Sequence, residues 1–492
     1  MKDLREKTIR GGFARLVAQG LNFFLRMGSL MVLARLLEPK DFGLVGMVIA
    51  VTGVLDLLKD FGLGAAAIQH TNVTEEQISN LFWVNILVGA FLALMCVAVS
   101  PLIASFYHEP RLVKVTAVLG TGFLFNAGGV QHAAILQRQM RFTALAVINT
   151  VAIILAAAIA VGGAIEGYGY WALVAMTVTL PLAMTVGYWI AARWVPGLPR
   201  KQTGIRSMMR FGGTLTLNGL VAYIVFNLDK VLLGRFWGAA ALGIYGRAYQ
   251  LINIATHDLN LAAGEVGFSA LSRLQDDPRR LKGYFLKGYS LVLTLTLPAT
   301  LACALFANDA ILVLLGPKWS AAAPILRLLA PMSLIFGLIT PLGWLMCSIG
   351  LVGRCLKIGL VLAPLLITSY VIGLPYGPKG VALAYSIVMV LWVVPHIVWS
   401  VHGTPISLRD VLLTASRPLA SAIVGGALAF GVRAAYGYSL SPFPRLMLES
   451  TVVLVTFVVV LLFVAGQKSL FLDLLSVLRR RSSVEEESLA SA

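Results

Sequence analysis

Residues 34–46 read ARLLEPKDFGLVG, and residues 234–246 read GRFWGAAALGIYG. At an offset of 200 residues, Arg35 meets Arg235, Gly43 meets Gly243, Gly46 meets Gly246 and, farther along, Gly64 meets Gly264. Each stretch closes one long apolar run, turns, and opens the next. An internal repeat of this kind predicts two similar lobes.

The composition says what the lobes are made of. Of 492 residues, 58% are hydrophobic and 12% charged, and the mean hydropathy is +0.85. Soluble domains carry about twice that share of charge. The apolar runs are of helix length, so the fold class is an all-α polytopic membrane protein. The formal charge of +17 belongs to basic loops beside anionic lipid rather than to nucleic acid binding. The four cysteines, Cys96, Cys303, Cys347 and Cys355, show no metal-ligand spacing and read as small packing residues. The charged start, MKDLREKTIR, has no cleavage-site pattern and reads as a retained cytoplasmic terminus.

Runs of about twenty apolar residues give about fourteen spans. They lie near 12–37, 42–68, 79–104, 112–134, 142–164, 169–191, 211–236, 239–268, 289–315, 324–349, 353–373, 379–401, 416–435 and 447–466. Basic residues gather at one set of ends, with Arg138, Arg141, Arg193, Arg200, Lys201, Arg279, Arg280 and Arg479–Arg481 among them. The positive-inside rule then places both termini in the cytoplasm. Residues 276–288, DDPRRLKGYFLKG, read as an interfacial amphipathic stretch. Trp171, Trp189, Trp194, Trp237 and Trp319 stand near span ends, as an aromatic belt requires. Both repeat copies start from the cytoplasm, so the repeat is parallel, an arrangement used by transporters with a site between lobes.

Charges inside the spans are the second signal. Arg15, Gln19, Asn22, Arg26 and Ser29 follow steps of 4, 3, 4 and 3 residues and share one helix face. The second span carries Thr52, Asp56, Lys59 and Asp60; the eighth carries Arg247, Asp258 and Glu265 on one stripe, with His257 beside it. The seventh carries Asn218 and Asp229 on one face, with Lys230 a quarter-turn away. Two accounts are open: interhelical salt bridges, such as Asp229 with Arg247, or a hydrophilic cavity shared by the lobes. Each intramembrane charge costs about 2.5–3.5 kcal/mol on insertion scales, and buried pairs stabilise weakly, which favours the cavity. Arginines there suit an anionic substrate, because guanidinium groups grip phosphate oxygens in bidentate fashion.

The stretches LREKTI, VLARLLEPKDFGLVGM, DFGLGAAAIQ, LDKVLLGRFWGAAALGIYGRAYQ, FSALSRLQDDPRRL and GPKWSAAAPILRLLAP resemble the Wzx-type polysaccharide flippases. The branch they resemble most is the colanic acid exporters, within the multidrug/oligosaccharidyl-lipid/polysaccharide exporter superfamily. The resemblance implies two six-helix lobes around a central cavity, with two further helices at the C-terminal end. On that plan residues 1–192 are the first lobe, 193–210 a basic cytoplasmic linker, 211–401 the second lobe, 402–470 the extra pair, and 471–492 a cytoplasmic tail. It implies translocation of a polyprenyl-diphosphate-linked glycan across a bacterial inner membrane, with membrane lipids and the pathway's polymerase and chain-length components as partners. One departure is Ser269, which stands where the family usually has a proline.

The cavity residues expected to meet substrate are Arg15, Asn22, Arg26, Lys59, Lys230 and Arg247. Asp56, Asp60, Asp229, His257, Asp258 and Glu265 are candidates for proton or sodium coupling or for bracing the helices. No cofactor or metal is expected. One rival reading is a drug/cation antiporter of the same superfamily, whose cavity would be acidic rather than arginine-lined. Another is a membrane glycosyltransferase or polymerase, which would need acids in a sizeable outer loop; here the outer turns are short.

Overall fold

A computed structural model describes residues 2–57, 59, 74–199, 206–254, 257–436 and 439–468, leaving out the side chains of 2–18, 206–219, 221–222, 257–259, 261–263 and 265–266. The fold is all-α, and among the described residues nine helices are long and apolar enough to cross a membrane. Contacts divide the chain into two compact units, Met1–Gly246 and Arg247–Ala492.

The first unit holds α1 (Lys2–Leu36), α2 (Pro39–Asp56), α3 (Glu75–Tyr107), α4 (Leu112–Arg138), α5 (Phe142–Ile165), α6 (Tyr170–Ala192) and most of α7 (Arg206–Ile254). Local chemistry sets several boundaries. Pro39 opens α2, and Glu38 and Asp41 close a capping box there. Thr74 and Gln77 do the same for α3, with the Gln77 amide donating to the Thr74 hydroxyl at 3.2 Å. Within α3, Pro101 lacks the N–H that would bond Val97, and the Ser100 hydroxyl donates to that carbonyl at 2.8 Å. The unit's core gathers Leu92, Cys96 and Phe123 between α3 and α4.

α7 is interrupted at Gly238 (φ +79°, ψ −178°), a conformation open almost only to glycine. The break falls between the expected seventh and eighth spans. The two arms fold back on each other: a Cβ built on Gly234 would lie 3.3 Å from Leu242. α2 crosses this turn very closely. A Cβ on Gly43 would lie 1.7 Å from the Ala239 carbonyl oxygen, and one on Gly243 would lie 1.9 Å from that of Pro39. Deeper along the same pair, the Tyr223 hydroxyl donates to the Ile49 carbonyl at 3.0 Å. These contacts join the first arm of α7 to the first unit.

The second unit continues with α8 (His257–Ser272), α9 (Pro278–Leu305), α10 (Ala307–Leu314), α11 (Ala322–Ser348), α12 (Val352–Gly373), α13 (Gly377–Val401), α14 (Leu408–Tyr436) and α15 (Pro442–Val459). The stretch read as interfacial at 276–288 is the start of one continuous helix: Asp277 caps it, accepting from the Arg280 amide at 3.1 Å, and Pro278 fills the first position. Trp319, expected in the aromatic belt, is instead fully buried in the turn Pro317–Trp319. α14 is tied to α9 by Lys282–Asp410 at 2.6 Å. Residues just past α15 add a second tie, Ser290 to Gln467 at 3.1 Å.

Candidate functional site: an arginine on the inner face of the first helix

Each residue turns an α-helix by about 100°, so Leu30 and Leu33 stand on the same side of α1 as Arg26. Both leucines are buried, at 7% and 2% exposure. Phe24 points the opposite way and is 72% exposed, as a lipid-facing residue should be. Arg26 is nevertheless exposed. The guanidinium is thus exposed on a helix side whose neighbours Asn22, Ser29, Leu30 and Leu33 are buried. Two neighbours on the stripe are engaged in packing. The Asn22 amide oxygen accepts from Thr150 of α5 at 2.9 Å, and the Ser29 hydroxyl donates to the Arg26 carbonyl at 2.9 Å.

Asp56, the last residue of α2, forms an ion pair of 3.3 Å with Lys59 just beyond the helix, both side chains partly exposed. On α7, the Lys230 ammonium donates to Asn227 Oδ1 at 2.7 Å and to the Phe226 carbonyl at 3.4 Å. Asn227 in turn donates to the Tyr223 carbonyl at 2.9 Å. The lysine is therefore held against its own helix by a polar stripe of Tyr223, Asn227 and Lys230.

Asp229 is fully buried. One oxygen accepts from the Tyr245 hydroxyl at 2.7 Å and the other from the Lys230 amide at 2.8 Å. Tyr245, across the Gly238 turn, thus takes the place the sequence reading gave Arg247. Arg247 itself is half-buried and donates to the side chain of Gln250. Asp60 lies outside the described residues, as do the side chains of Arg15, His257, Asp258 and Glu265.

A charged cluster in the second unit was not singled out from sequence. Asp309 of α10 is buried and takes Arg433 of α14 at 3.0 Å, and it also pairs with Arg445 of α15. Arg433 extends to the buried Glu449 at 3.5 Å and lies 6.0 Å from the centre of the Phe306 ring. Two cations answer two acids, so the group balances its own charge and fastens the C-terminal helix pair to α10. Among the described residues no cluster of three or more His, Cys, Asp or Glu side chains is placed to hold a metal ion.

Comparison with known proteins extends these observations. Residues 32–324 match the family model described as polysaccharide biosynthesis protein. The chain is 28% identical to the lipopolysaccharide biosynthesis protein WzxC of Escherichia coli, over 79% of this chain and 80% of that protein. It is 31% identical to the teichuronic acid biosynthesis protein TuaB of Bacillus subtilis, over 60% of this chain and 61% of that one. Among solved structures, the lipid II flippase MurJ in an inward closed conformation shares the fold, with a TM-score of 0.73 and 13% identity over 93% of this chain and 99% of MurJ. An inward-facing multidrug resistance transporter of the MATE family, in the MOP superfamily, gives 0.62 and 14% identity over 79% of this chain and 97% of that one. The family match spans more than half the sequence, including the repeat and the Gly238 turn, and on it this multi-pass membrane protein belongs to the polysaccharide biosynthesis protein family.

Proposed function

We propose that the protein translocates polyprenyl-diphosphate-linked oligosaccharide repeat units from the cytoplasmic to the outer leaflet of a bacterial inner membrane, by alternating access. The observation that carries this reading is Arg26, an exposed guanidinium on the protein side of α1 rather than its lipid side. A planar, permanently charged donor array at that position suits the oxygens of a diphosphate. Lys230, oriented by Asn227, and Lys59, paired with Asp56, add positive charge. The glycan head would enter from the cytoplasmic side while the lipid tail stays in the bilayer, with both termini cytoplasmic. Asp56, Asp60, Asp229, His257, Asp258 and Glu265 remain the acids and base proposed for ion coupling or bracing. Of these, Asp229, tied to Tyr245, is the one best suited to bracing.

Complementation of an exporter-deficient strain tests the reading. Wild type should restore surface polysaccharide, and Arg26→Ala should fail at equal membrane expression. Raised drug resistance without polysaccharide export would overturn it in favour of an antiporter.

A further inference from the structure

Two of the cysteines that look scattered along the sequence meet in the fold. Cys347 lies in the last turn of α11 and Cys355 in the first turn of α12, and their Sγ atoms are 3.8 Å apart. Both are free thiols and both are half-buried. The Cys355 sulfur also lies 4.0 Å from the Gly343 carbonyl oxygen. Gly350, at φ +79°, makes the tight turn that brings the helix ends together, and Gly350, Val352 and Gly353 around the pair are exposed. Small solutes can therefore approach the two sulfurs. A disulfide bond measures about 2.05 Å, so closure asks the two sulfurs to approach by about 1.8 Å.

We propose that Cys347 and Cys355 form a redox modification site, a dithiol that a small-molecule disulfide oxidises. The thiolate of one cysteine attacks the oxidant's S–S bond and releases one thiol, giving a mixed disulfide. The second cysteine then attacks that mixed disulfide and releases the second thiol. The protein loses two protons and two electrons, the oxidant gains both, and one Sγ–Sγ bond joins α11 to α12. On the orientation proposed above, this turn faces the cytoplasm. A reducing thiol pool there keeps the pair open in ordinary conditions, as expected of a sensing rather than a structural pair. The proposal rests on that reading only for the identity of the oxidant.

Full-length protein in detergent, where both membrane faces are accessible, is treated with glutathione disulfide, denatured, alkylated and digested with trypsin. Cleavage after Arg354 separates the two cysteines, so an intramolecular disulfide joins two peptides. The link should form before any adduct appears at the buried Cys96. Cys347→Ser should leave a single glutathione adduct on Cys355. Separate adducts on the two wild-type cysteines would overturn the proposal, as would two alkylated cysteines at oxidant levels that modify the denatured chain. Because detergent removes the membrane's sidedness, neither outcome depends on the topology or on transport.

Discussion

Gly43 and Gly243, equivalent positions of the internal repeat, sit against each other: a Cβ built on Gly243 would lie 3.1 Å from the Gly43 backbone nitrogen. Their other contacts mirror one another. Gly43 faces the Ala239 carbonyl, and Gly243 faces that of Pro39, and those two partners are themselves 200 residues apart. Reciprocal contacts of this form are the mark of a two-fold relation, here local to the crossing of α2 with the α7 turn.

The crossing leaves no room for a side chain. Gly43→Leu or Gly243→Leu should destabilise the protein by about 1–3 kcal/mol or more, because a backbone carbonyl rather than a movable side chain stands in the way. Gly246, where a Cβ would meet nothing within 4 Å, is the control. Gly246→Ala should be neutral or raise stability by up to about 1 kcal/mol. Thermal melting of detergent-purified variants reads both.

Asp229 depends on Tyr245. Tyr245→Phe removes the donor at 2.7 Å and leaves a fully buried carboxylate oxygen without it, at a cost of about 1–3 kcal/mol. The double variant with Asp229→Asn should show coupling well short of additive. The charge swap Asp229→Arg with Arg247→Asp should rescue neither single loss, because Tyr245 holds the carboxylate.

In the buried cluster, Asp309 holds two guanidiniums and Glu449 the longer contact to one. Removing a partner from a buried ionic group costs about 3–5 kcal/mol. Asp309→Ala should reach that range, since it strands both arginines, and Glu449→Ala should cost less. Equal losses, or the reverse order, would contradict the assignment of Asp309 as the hub.

In the turn between α3 and α4, the Arg111 guanidinium hydrogen-bonds both carboxylate oxygens of Glu109, at 2.7 and 2.8 Å. That bond holds the Glu109 carboxyl below the usual range. A lowered folded value means the contribution is complete above the ordinary carboxylate pKa and is lost as pH falls through the folded value. The pair is partly exposed, so its worth is below about 1 kcal/mol. Wild type should melt slightly above Glu109→Gln at pH 7, and the gap should close in acid below about pH 4.

Much of this was legible in the chain. The repeat glycines and the position of the Gly238 turn follow from spacing and hydropathy, because helix length and close backbone approach leave strong local signals; several helix ends do not, and α9 starts about ten residues before its expected span. Arg26 stands out in the sequence because a charge repeating at helical spacing has a definite face. The partner of Asp229 was not. Tyr245 lies sixteen residues on, across a reversal whose geometry depends on one φ angle, and a tyrosine in an apolar run carries no charge to draw attention. Asp309, Arg433 and Arg445 span 136 residues, and only tertiary packing of α10, α14 and α15 brings them together. Cys347 and Cys355 form no recognised metal-ligand motif, and their meeting depends on the tightness of the Gly350 turn.

The central claim is that Arg26 engages the diphosphate of a lipid-linked glycan. Its most direct test is translocation of a polyprenyl-diphosphate oligosaccharide by protein reconstituted in liposomes, comparing wild type with Arg26→Ala and Arg26→Lys. Loss of charge-assisted hydrogen bonds worth about 1.5–3 kcal/mol predicts a fall of roughly 10–100-fold for Arg26→Ala, with Arg26→Lys in between. Equal rates for wild type and Arg26→Ala, at equal reconstitution and melting temperature, would contradict the account.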